Sequence, residues 1–318
     1  MVNIILDTDF ETDCDDVGAL CVLHTLAQRR IVNICGVIAS VHSPWPAAAI
    51  ATINAALGRP DIPVGENRTI PNATCYLEHR RNTENRLYHK AIASRQIPHY
   101  EVEDAVELYF RLLNQAADSS IIICAIGLMT VLAEVMRCPG GQELIRRKVV
   151  RLVSMADGEP LDGCSGFNWN MDSLATQMVI DHWPVELQIS PVGTNVLTGE
   201  TLARLPADNP LRCAYEIWNG KQGFLRPSWD QLTVLAASGV ALDKGFLKTV
   251  RRGKIIYNAS SGKHCWNIDE CGMHTCLGLY CDVKETARWI EKLMIEAWMK
   301  SSLFDATNLM NAIPFMQG

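Results

Sequence analysis

The segment from Ile4 to Leu20, IILDTDFETDCDDVGAL, places five aspartates and one glutamate within ten residues, directly after an apolar run. Six like charges repel one another, and a solvated loop at the end of a strand has no need of them. Hard cations such as Ca²⁺ and Mg²⁺ take carboxylate oxygens as ligands, and positioned carboxylates also act in acid–base catalysis. The segment therefore predicts a cation site, an acid–base site, or both, at the end of the first strand.

Length, charge and hydropathy argue against a nucleic-acid-binding, membrane-spanning or secreted protein. The chain has 318 residues, is 48% hydrophobic and carries a formal net charge of −6, and we predict a single domain over 1–318. Nucleic-acid recognition usually needs a basic excess, so we expect no nucleic-acid partner. No segment approaches the ~18 uninterrupted apolar residues of a membrane helix, and the first aspartate comes too early for a signal peptide. We therefore expect a cytoplasmic protein with no membrane partner and with reduced cysteines.

Apolar runs that resemble strands alternate with segments of helical periodicity. The runs VNIILD, IVNICGVIAS, SSIIICAIG, KVVRLVSMADG and VELQISP are typical of buried strands. This order predicts an α/β fold, with a Rossmann-like, mostly parallel central sheet and helices on both faces. After VELQISP the sequence predicts a more helical chain. Ligands of such folds bind at the carboxyl ends of the strands, where the acidic segment, the AIG turn and the ADGEPLDG loop all fall.

The segment 66–100 departs from this alternation. It is polar, it is rich in Arg, Asn and His, and it is too long to be a plain connection. We predict that it forms a flap or loop region beside the site rather than a domain boundary.

Four motifs resemble the inosine-uridine preferring nucleoside hydrolase superfamily, and they occur in that family's order. DTDFETDCDD is similar to the family's DxDPGxDD, with two residues inserted and the Pro-Gly pair replaced. AIGLMTVLAEV resembles GPLTNLA, GFNWNMDSLA resembles EFNxxxDPEA, and RPSWDQLTVLAA resembles HDPxAVA. The resemblance covers the chain from Ile4 to about Ala237. It implies the nucleoside hydrolase fold and hydrolysis of the N-glycosidic bond of a ribonucleoside or related N-riboside.

The resemblance also implies a set of Ca²⁺ ligands. These are Asp9, Asp16, the backbone carbonyl of Thr130, and Asp230. Asp9 would in addition be the catalytic base that takes a proton from the attacking water, because a carboxylate beside a metal-acidified water can accept that proton.

The residues that would hold ribose follow from the same resemblance, with one ambiguity. Asp15 and Asn168 would bind ribose hydroxyls, and Asp7 would support the site. Counted from the strand, however, Asp13 takes the place of Asp15. We prefer the count from the helix, because DDVGAL then begins the helix as the family's DDAxAI does, and Asp13 stays open as a ligand.

Departures from the family concentrate on the substrate side. Gly166 stands where the family has a glutamate, and Trp229 replaces the histidine before the last calcium ligand. His42 follows the second strand where an asparagine is expected, and we predict that it contacts the substrate. Tryptophan cannot act as an acid, but it can stack on a base, so Trp229, Trp169 or Trp266 would favour a purine nucleoside. Another ribosyl or glycosyl compound is the alternative substrate.

Two other functions remain open from the sequence. The first is an Mg²⁺-dependent phosphatase built on DTD, with Asp7 as nucleophile; its usual motif has Thr or Val where Glu11 stands. The second is a non-catalytic member that binds a sugar-like ligand. The resemblance also implies a homodimer or homotetramer.

Overall fold

The computed structural model describes residues 1–95, 101–156, 163–164, 166–220 and 223–299. Its strands are β1 (Val2–Thr8), β2 (Val32–Ala39), β3 (Val64–Glu66), β4 (Val102–Asp104), β5 (Ile121–Ala125), β6 (Val149–Met155), β7 (Gly163–Cys164), β8 (Glu186–Ser190), β9 (Leu197–Thr198), β10 (Arg226–Pro227), β11 (Leu247–Asn258), β12 (Lys263–Ile268) and β13 (His274–Leu279).

The helices of the described residues are α1 (Asp15–Gln28), α2 (Pro46–Ala56), α3 (Thr74–Asn82), α4 (Tyr88–Ala93), α5 (Ala105–Gln115), α6 (Thr130–Arg137), α7 (Gly141–Lys148), α8 (Phe167–Met171), α9 (Ser173–His182), α10 (Pro210–Asn219), α11 (Trp229–Ala237), α12 (Val240–Asp243) and α13 (Val283–Glu296), with a 3₁₀ turn at Leu202–Arg204. Within this part of the chain, no helix is long and apolar enough to cross a membrane.

Eleven of the described strands form one sheet, in the order β4-β3-β2-β1-β5-β6-β8-β13-β11-β12-β7. Neighbours from β4 through β13 in this order pair in parallel. The strands β11, β12 and β7 then extend the sheet through antiparallel pairs, and β9 pairs with β10 in a separate small sheet. The prediction of a mostly parallel central sheet is confirmed.

Strand β1 shows how the sequence places the sheet between two layers of helices. Ile4 and Leu6 are buried in one apolar core, and Ile5 is buried in the other. The first core packs α1, α2, α10, α11 and α13 against the sheet, and the second packs α5, α6, α7 and α9. A strand covered on both faces needs an unbroken apolar run rather than an alternating one, which is what VNIILD supplies.

The expectation that the chain is mainly helical after β8 is only partly right. Helices α10, α11 and α13 lie where the sequence predicts helices, but β11, β12 and β13 stand between α12 and α13. Exposed and buried residues alternate only in the second half of β11, and its first half is mostly exposed. A strand with this weak alternation gives little period-two signal, which is why the sequence did not reveal it.

The segment predicted to be a flap or loop contains two short helices, α3 and α4. Tyr76, Tyr88 and Ile92 are completely buried, so these helices are packed onto the body of the protein. Residues 96–100 lie outside the described part of the chain. We call the segment from 74 to 93 the flap.

Candidate functional site

The acidic segment lies on the wall of a cavity of about 430 Å³. The cavity opens where the parallel strands end, because residues directly after β1 and β5 and the last residue of β6 line it. Its acidic lining residues are Asp9, Asp13, Asp15, Asp16 and Asp230. This is the edge of the sheet at which an α/β fold binds its ligand.

Three buried carboxylates at this edge are close enough to share one cation. Oxygen atoms of Asp15, Asp16 and Asp230 all lie within 4.8 Å of one another. One oxygen of Asp16 accepts a hydrogen bond from the Thr8 hydroxyl, but its other oxygen is buried and unpaired, as is Oδ2 of Asp9. Buried unpaired carboxylate oxygens are unfavourable unless a cation or a donor satisfies them. The donor set, all oxygen, suits a hard cation.

Close packing of α1 against α11 brings these acids together from distant parts of the sequence. A Cβ atom added at Gly18 would lie 2.4 Å from Nε2 of Gln231, so the two helices pack closely at this point. Asp15 is the first residue of α1, and Asp230 is the second residue of α11. The backbone N–H of Asp230 donates to Oδ2 of Asp15 over 3.3 Å, and both helix starts favour negative charge.

Burial controls the charge of these acids when no cation is bound. It raises the pKa of Asp9 to about 7, and it raises the pKa values of Asp15, Asp16 and Asp230 well above their ordinary range. Repulsion among the neighbouring carboxylates acts in the same direction. A bound cation would reverse both effects, because it stabilises the ionised form of each carboxylate.

The turn after β5 approaches the acidic segment so closely that it needs a glycine. A Cβ atom at Gly127 would lie 2.4 Å from the backbone nitrogen of Asp9 and 2.7 Å from the carbonyl carbon of Thr8. The preceding residue, Ile126, lines the cavity. Its carbonyl oxygen accepts a hydrogen bond of 2.7 Å from Nδ2 of Asn168. Asn168 is buried and lines the cavity.

Thr130, whose backbone carbonyl the resemblance makes a cation ligand, lies at the start of α6, and its role stays a prediction. Thr130 is the first residue of α6, where a backbone carbonyl is directed along the helix axis towards the residue four positions later. Its hydroxyl donates to Asp172 over 2.7 Å, and it is absent from the cavity lining. Ile126, four residues earlier, does line the cavity.

Asp7 lies beneath the cavity rather than in it. It is completely buried, and its Oδ2 accepts a 2.7 Å hydrogen bond from the hydroxyl of Tyr109, on α5. Burial raises the pKa of Asp7 to about 7. The residue is absent from the cavity lining, and its supporting role stays a prediction.

Asp13 is held by an arginine that the sequence did not single out. Nε of Arg226, on β10, lies 2.8 Å from Oδ1 and 2.9 Å from Oδ2 of Asp13, and Nη2 also donates to Oδ2. The guanidinium group also lies 6.0 Å from the ring centre of Trp218 and 5.6 Å from that of Trp229. All four residues line the cavity. Arg226 stands four residues before Asp230, but nothing in that spacing predicts its partner.

Of the three tryptophans proposed from the sequence to stack on a base, only Trp229 lines the cavity. Its Nε1 donates to the hydroxyl of Thr194 over 3.1 Å. Trp169 is buried in the core, and Trp266 lies on β12 away from the cavity lining. Trp218, on α10, lines the cavity instead. The helical pattern around Trp218 is that of an ordinary packed helix, so the sequence did not reveal it.

His42 does not take part in the cavity wall. Its side chain is exposed, its Nδ1 lies 3.1 Å from the carbonyl oxygen of Asn67, and its backbone N–H donates to Asn72. The prediction that His42 binds substrate rested on its position after β2, and the chain turns it away from the site.

The flap supplies three residues of the cavity wall that the sequence did not identify. These are His79 on α3, and Thr83 and Arg86 in the turn between α3 and α4. The ring of His79 packs against Phe167, with 4.6 Å between ring centres. Residues of the flap therefore line the cavity.

Glu11, within the loop that departs from the family motif, joins the acidic segment to the flap. Its carboxylate is almost completely buried and accepts hydrogen bonds from the hydroxyls of Ser43, at 2.5 Å, and of Tyr76. Nε of Arg80 lies 3.4 Å away and Nε2 of His89 lies 3.2 Å away. Burial lowers the pKa of His89 to about 3, so that ring is neutral. Glu11 is therefore a structural anchor of the flap rather than a cation ligand.

Comparison with known proteins finds similarity only at the level of structure. No protein-family model and no curated protein sequence matches the chain. An inosine-uridine preferring nucleoside hydrolase from Bacillus anthracis matches with a TM-score of 0.64 and 18% identity, over 92% of this chain and 99% of that chain. A purine-preferring ribonucleoside hydrolase from Gardnerella vaginalis matches with a TM-score of 0.69 and 15% identity, over 93% and 99%. The type III effector protein XopQ, solved in complex with adenosine diphosphate ribose, matches with a TM-score of 0.68 and 15% identity, over 93% of each chain.

At sequence identities of 15–18%, these matches establish a shared fold but not a shared reaction. The reaction has to be inferred from the residues of the site. The matches extend over nearly the full length of both chains, so the similarity concerns the whole architecture rather than a shared βαβ unit. The chain therefore has the nucleoside hydrolase fold, as the resemblance of its motifs predicts.

Proposed function

We propose that the chain is a divergent, Ca²⁺-dependent nucleoside hydrolase that cleaves the N-glycosidic bond of a ribonucleoside or related N-riboside. The observation that carries the proposal is the buried group formed by Asp15, Asp16 and Asp230 beside Asp9. One oxygen each of Asp9 and Asp16 is buried without a hydrogen-bond partner, and all four residues lie on the wall of the cavity. Solved proteins of the same fold include inosine-uridine preferring and purine-preferring nucleoside hydrolases.

The residues present fit a calcium ion. Asp9, Asp16 and Asp230 offer carboxylate oxygens on the cavity wall, and the carbonyl of Thr130 would add a neutral oxygen, as the resemblance implies. Ca²⁺ accepts such mixed sets of oxygens, in arrangements less strict than the octahedron that Mg²⁺ demands. When bound, Ca²⁺ would supply the positive charge that keeps these carboxylates ionised and makes a ligated water more acidic.

Asp9 is the residue best placed to accept a proton from the attacking water. Its Oδ2 is buried, unpaired and on the cavity wall. Asp15 and Asn168 line the same wall and would hold ribose hydroxyls, which fixes the anomeric carbon as positive charge develops on the sugar. The ion pair with Arg226 occupies Asp13, so the geometry favours Asp15 for the ribose.

Trp218 and Trp229 support an aromatic base as the leaving group. Both line the cavity on either side of the Arg226 guanidinium group. Neither indole can donate a proton as an acid, so their contribution would be stacking on the base. A purine offers the larger ring face for that contact.

The alternative functions have less support. A phosphatase would need the carboxylate of Asp7 to attack phosphate, but Asp7 is buried beneath the cavity and bound to Tyr109. A binding-only protein remains the second candidate, because Gly166 and Trp229 replace the glutamate and the histidine of the motifs. That protein would gain stability from Ca²⁺ and turn over no riboside.

The test compares wild type with Asp9→Asn, which keeps the shape of the side chain and removes the base. Purine and pyrimidine ribonucleosides and p-nitrophenyl riboside are incubated with Ca²⁺ or with a chelator, and the released base or nitrophenol is measured. We expect release by wild type that the chelator abolishes and that Asp9→Asn lowers by about 10³-fold. Asp61→Asn, at an exposed surface carboxylate, is the control and should match wild type. No release from any compound, with Ca²⁺ binding retained, would leave the binding-only function.

A further inference from the structure

The cavity wall carries a cation without a carboxylate partner. Arg86, in the turn between α3 and α4, lines the cavity, and its guanidinium carbon lies 5.2 Å from the ring centre of Trp218. Arg226, the other arginine on the wall, is neutralised by Asp13. Among the described residues, no carboxylate forms an ion pair with Arg86. A half-buried guanidinium group that faces a cavity is a ready partner for an anion on the ligand.

A second unsatisfied group stands near Arg86. Nε2 of His79 is buried and has no hydrogen-bond partner, and the charge of Arg86 is close enough to act on this ring. His79 packs against Phe167, the residue immediately before Asn168, which is the proposed ribose residue. Gly166 precedes Phe167 and brings no acidic side chain. The flap side of the cavity therefore offers a cation beside Trp218 and an imidazole that packs on the residue next to Asn168.

We propose that the substrate is a phosphorylated riboside, and that Arg86 binds the phosphate carried by its ribose. This inference rests on the proposed function, because it deepens the specificity of the same site. Among the described residues, Asp9, Asp15, Asp16 and Asp230 line the cavity besides the paired Asp13 and would repel a phosphate, so a phosphorylated ligand needs a cation of its own there. The planar donors of arginine match phosphate oxygens. A neutral nucleoside would instead leave Arg86 without a partner inside the filled cavity, which is unfavourable.

The experiment measures kcat/KM for inosine, inosine 5′-monophosphate and adenosine diphosphate ribose with wild type, Arg86→Gln and Arg81→Gln. We expect wild type to prefer at least one phosphorylated compound to inosine. Arg86→Gln should lower that preference by about 10- to 100-fold, the effect of one hydrogen-bonded charge pair. Arg81 is exposed on α3 of the flap and is absent from the cavity lining, so Arg81→Gln should keep the preference. The two phosphorylated compounds distinguish a phosphate monoester from a diphosphate.

A binding measurement separates this inference from the proposed function. Titration calorimetry with ribose 5-phosphate and with ribose, on wild type and Arg86→Gln, reports phosphate recognition without turnover. Binding of ribose 5-phosphate that depends on Arg86, with no cleavage of any compound, would support phosphate recognition and overturn the hydrolase. Cleavage of inosine with no preference for either phosphorylated compound, or an equal preference in Arg86→Gln, would overturn phosphate recognition and leave the hydrolase standing.

Discussion

The carboxylate of Asp13 and the guanidinium group of Arg226 form a bidentate pair, with Nε 2.8 Å from Oδ1 and 2.9 Å from Oδ2. Asp15, two residues later, instead shares the carboxylate group formed with Asp16 and Asp230. The pair thus separates the aspartates of the acidic segment by role. Asp13 fixes the cavity wall between the tryptophans, and Asp15 stays free to contact a ligand.

Replacing Arg226 by lysine should weaken substrate binding, because lysine keeps the charge but cannot form the planar two-point contact with Asp13. We expect KM to rise about tenfold, the equivalent of one charged hydrogen bond, as measured by steady-state kinetics. Arg59 makes a similar bidentate pair with Asp61 on the exposed surface. Arg59→Lys is therefore the control and should leave KM unchanged. An unchanged KM in Arg226→Lys would show that Asp13 needs only a nearby positive charge.

Gly127→Ala should disrupt the cation site, because the added methyl group would collide with the backbone of Thr8 and Asp9. We expect Ca²⁺ affinity, measured by titration calorimetry, to fall at least about tenfold, in line with the cost of disturbing a ligand's supporting contacts. Gly36→Ala is the matched control on the adjacent strand β2. There the nearest atom is a flexible methyl group of Leu112, which can move aside, so Ca²⁺ affinity should stay as in wild type. Equal Ca²⁺ affinity in both variants would count against the close approach.

Glu11→Ala should destabilise the protein by about 3–5 kcal/mol, because it removes the shared partner of a buried polar network. The hydroxyls of Ser43 and Tyr76 would lose their acceptor, and Arg80 would lose its counter-charge. Urea unfolding measures the change in the free energy of unfolding. Glu143→Ala, at an exposed pair with Arg146, should change it by less than about 1 kcal/mol. Similar values for both variants would contradict the anchoring role of Glu11.

Stabilisation by Ca²⁺ should grow as the pH rises. Burial raises the pKa values of Asp7 and Asp9 to about 7, from ordinary values near 4. In the metal-free protein, the stability that these two groups contribute is complete below about pH 4 and is lost as the pH rises through 7. Ca²⁺ binds the ionised carboxylates, so it must displace protons at low pH and has fewer to displace at high pH.

Thermal unfolding with and without Ca²⁺ measures this effect. At a Ca²⁺ concentration about 100 times the Kd we expect about 3 kcal/mol of stabilisation near pH 8, and less near pH 5. Asp230→Asn should abolish the Ca²⁺ dependence. A Ca²⁺ effect that shrinks with rising pH would be inconsistent with a carboxylate site.

His24 should make the protein less stable in mild acid. It is buried on α1 with Nε2 2.8 Å from Oδ1 of Asn54, and burial lowers its pKa to about 4. Because this value is below the ordinary pKa of about 6.5, the contribution is complete above about pH 6.5 and is lost as the pH falls towards 4. The loss is up to about 3 kcal/mol.

Unfolding by urea at several pH values, for wild type and His24→Gln, tests that expectation. The variant cannot gain the proton, so its free energy of unfolding should fall less between about pH 6.5 and pH 4. His182→Gln, at an exposed position on α9, should follow wild type. Parallel curves for wild type and His24→Gln would assign the acid sensitivity to other groups.

The sequence predicted those parts of the protein that depend on local patterns. The strand VNIILD, the helix that begins at Asp15 and the acidic segment between them are neighbours in the chain, so their order fixes the edge of the sheet that holds the site. Asp230 was also predicted, because its motif combines a helix start with the residue types of the family.

Site residues that are distant in sequence from the acidic segment could not be predicted from local patterns. Arg226, Trp218 and Arg86 lie on different elements, and only the packing of α10, the small sheet and the flap brings them to one cavity. In the sequence, nothing distinguishes Arg86 from the other charged residues of the polar segment 66–100. His42 shows the opposite error, since a position after a strand suggested the site but the backbone turned the side chain towards Asn67.

The network around Glu11 has a consequence for how such a protein can diverge. Phe10 packs edge-on against Tyr88 of the flap, with 6.0 Å between ring centres, and Glu11 binds Tyr76 and Arg80 of the same segment. The lengthened loop that contains Phe10 and Glu11 and the flap therefore depend on each other for their packing, and we expect them to diverge together. A shorter loop taken from a relative would remove the contacts of Glu11 with the flap. A flap taken from a relative would leave the carboxylate of Glu11 buried without the donors Tyr76 and Arg80. Viable chimaeras should exchange the two segments together.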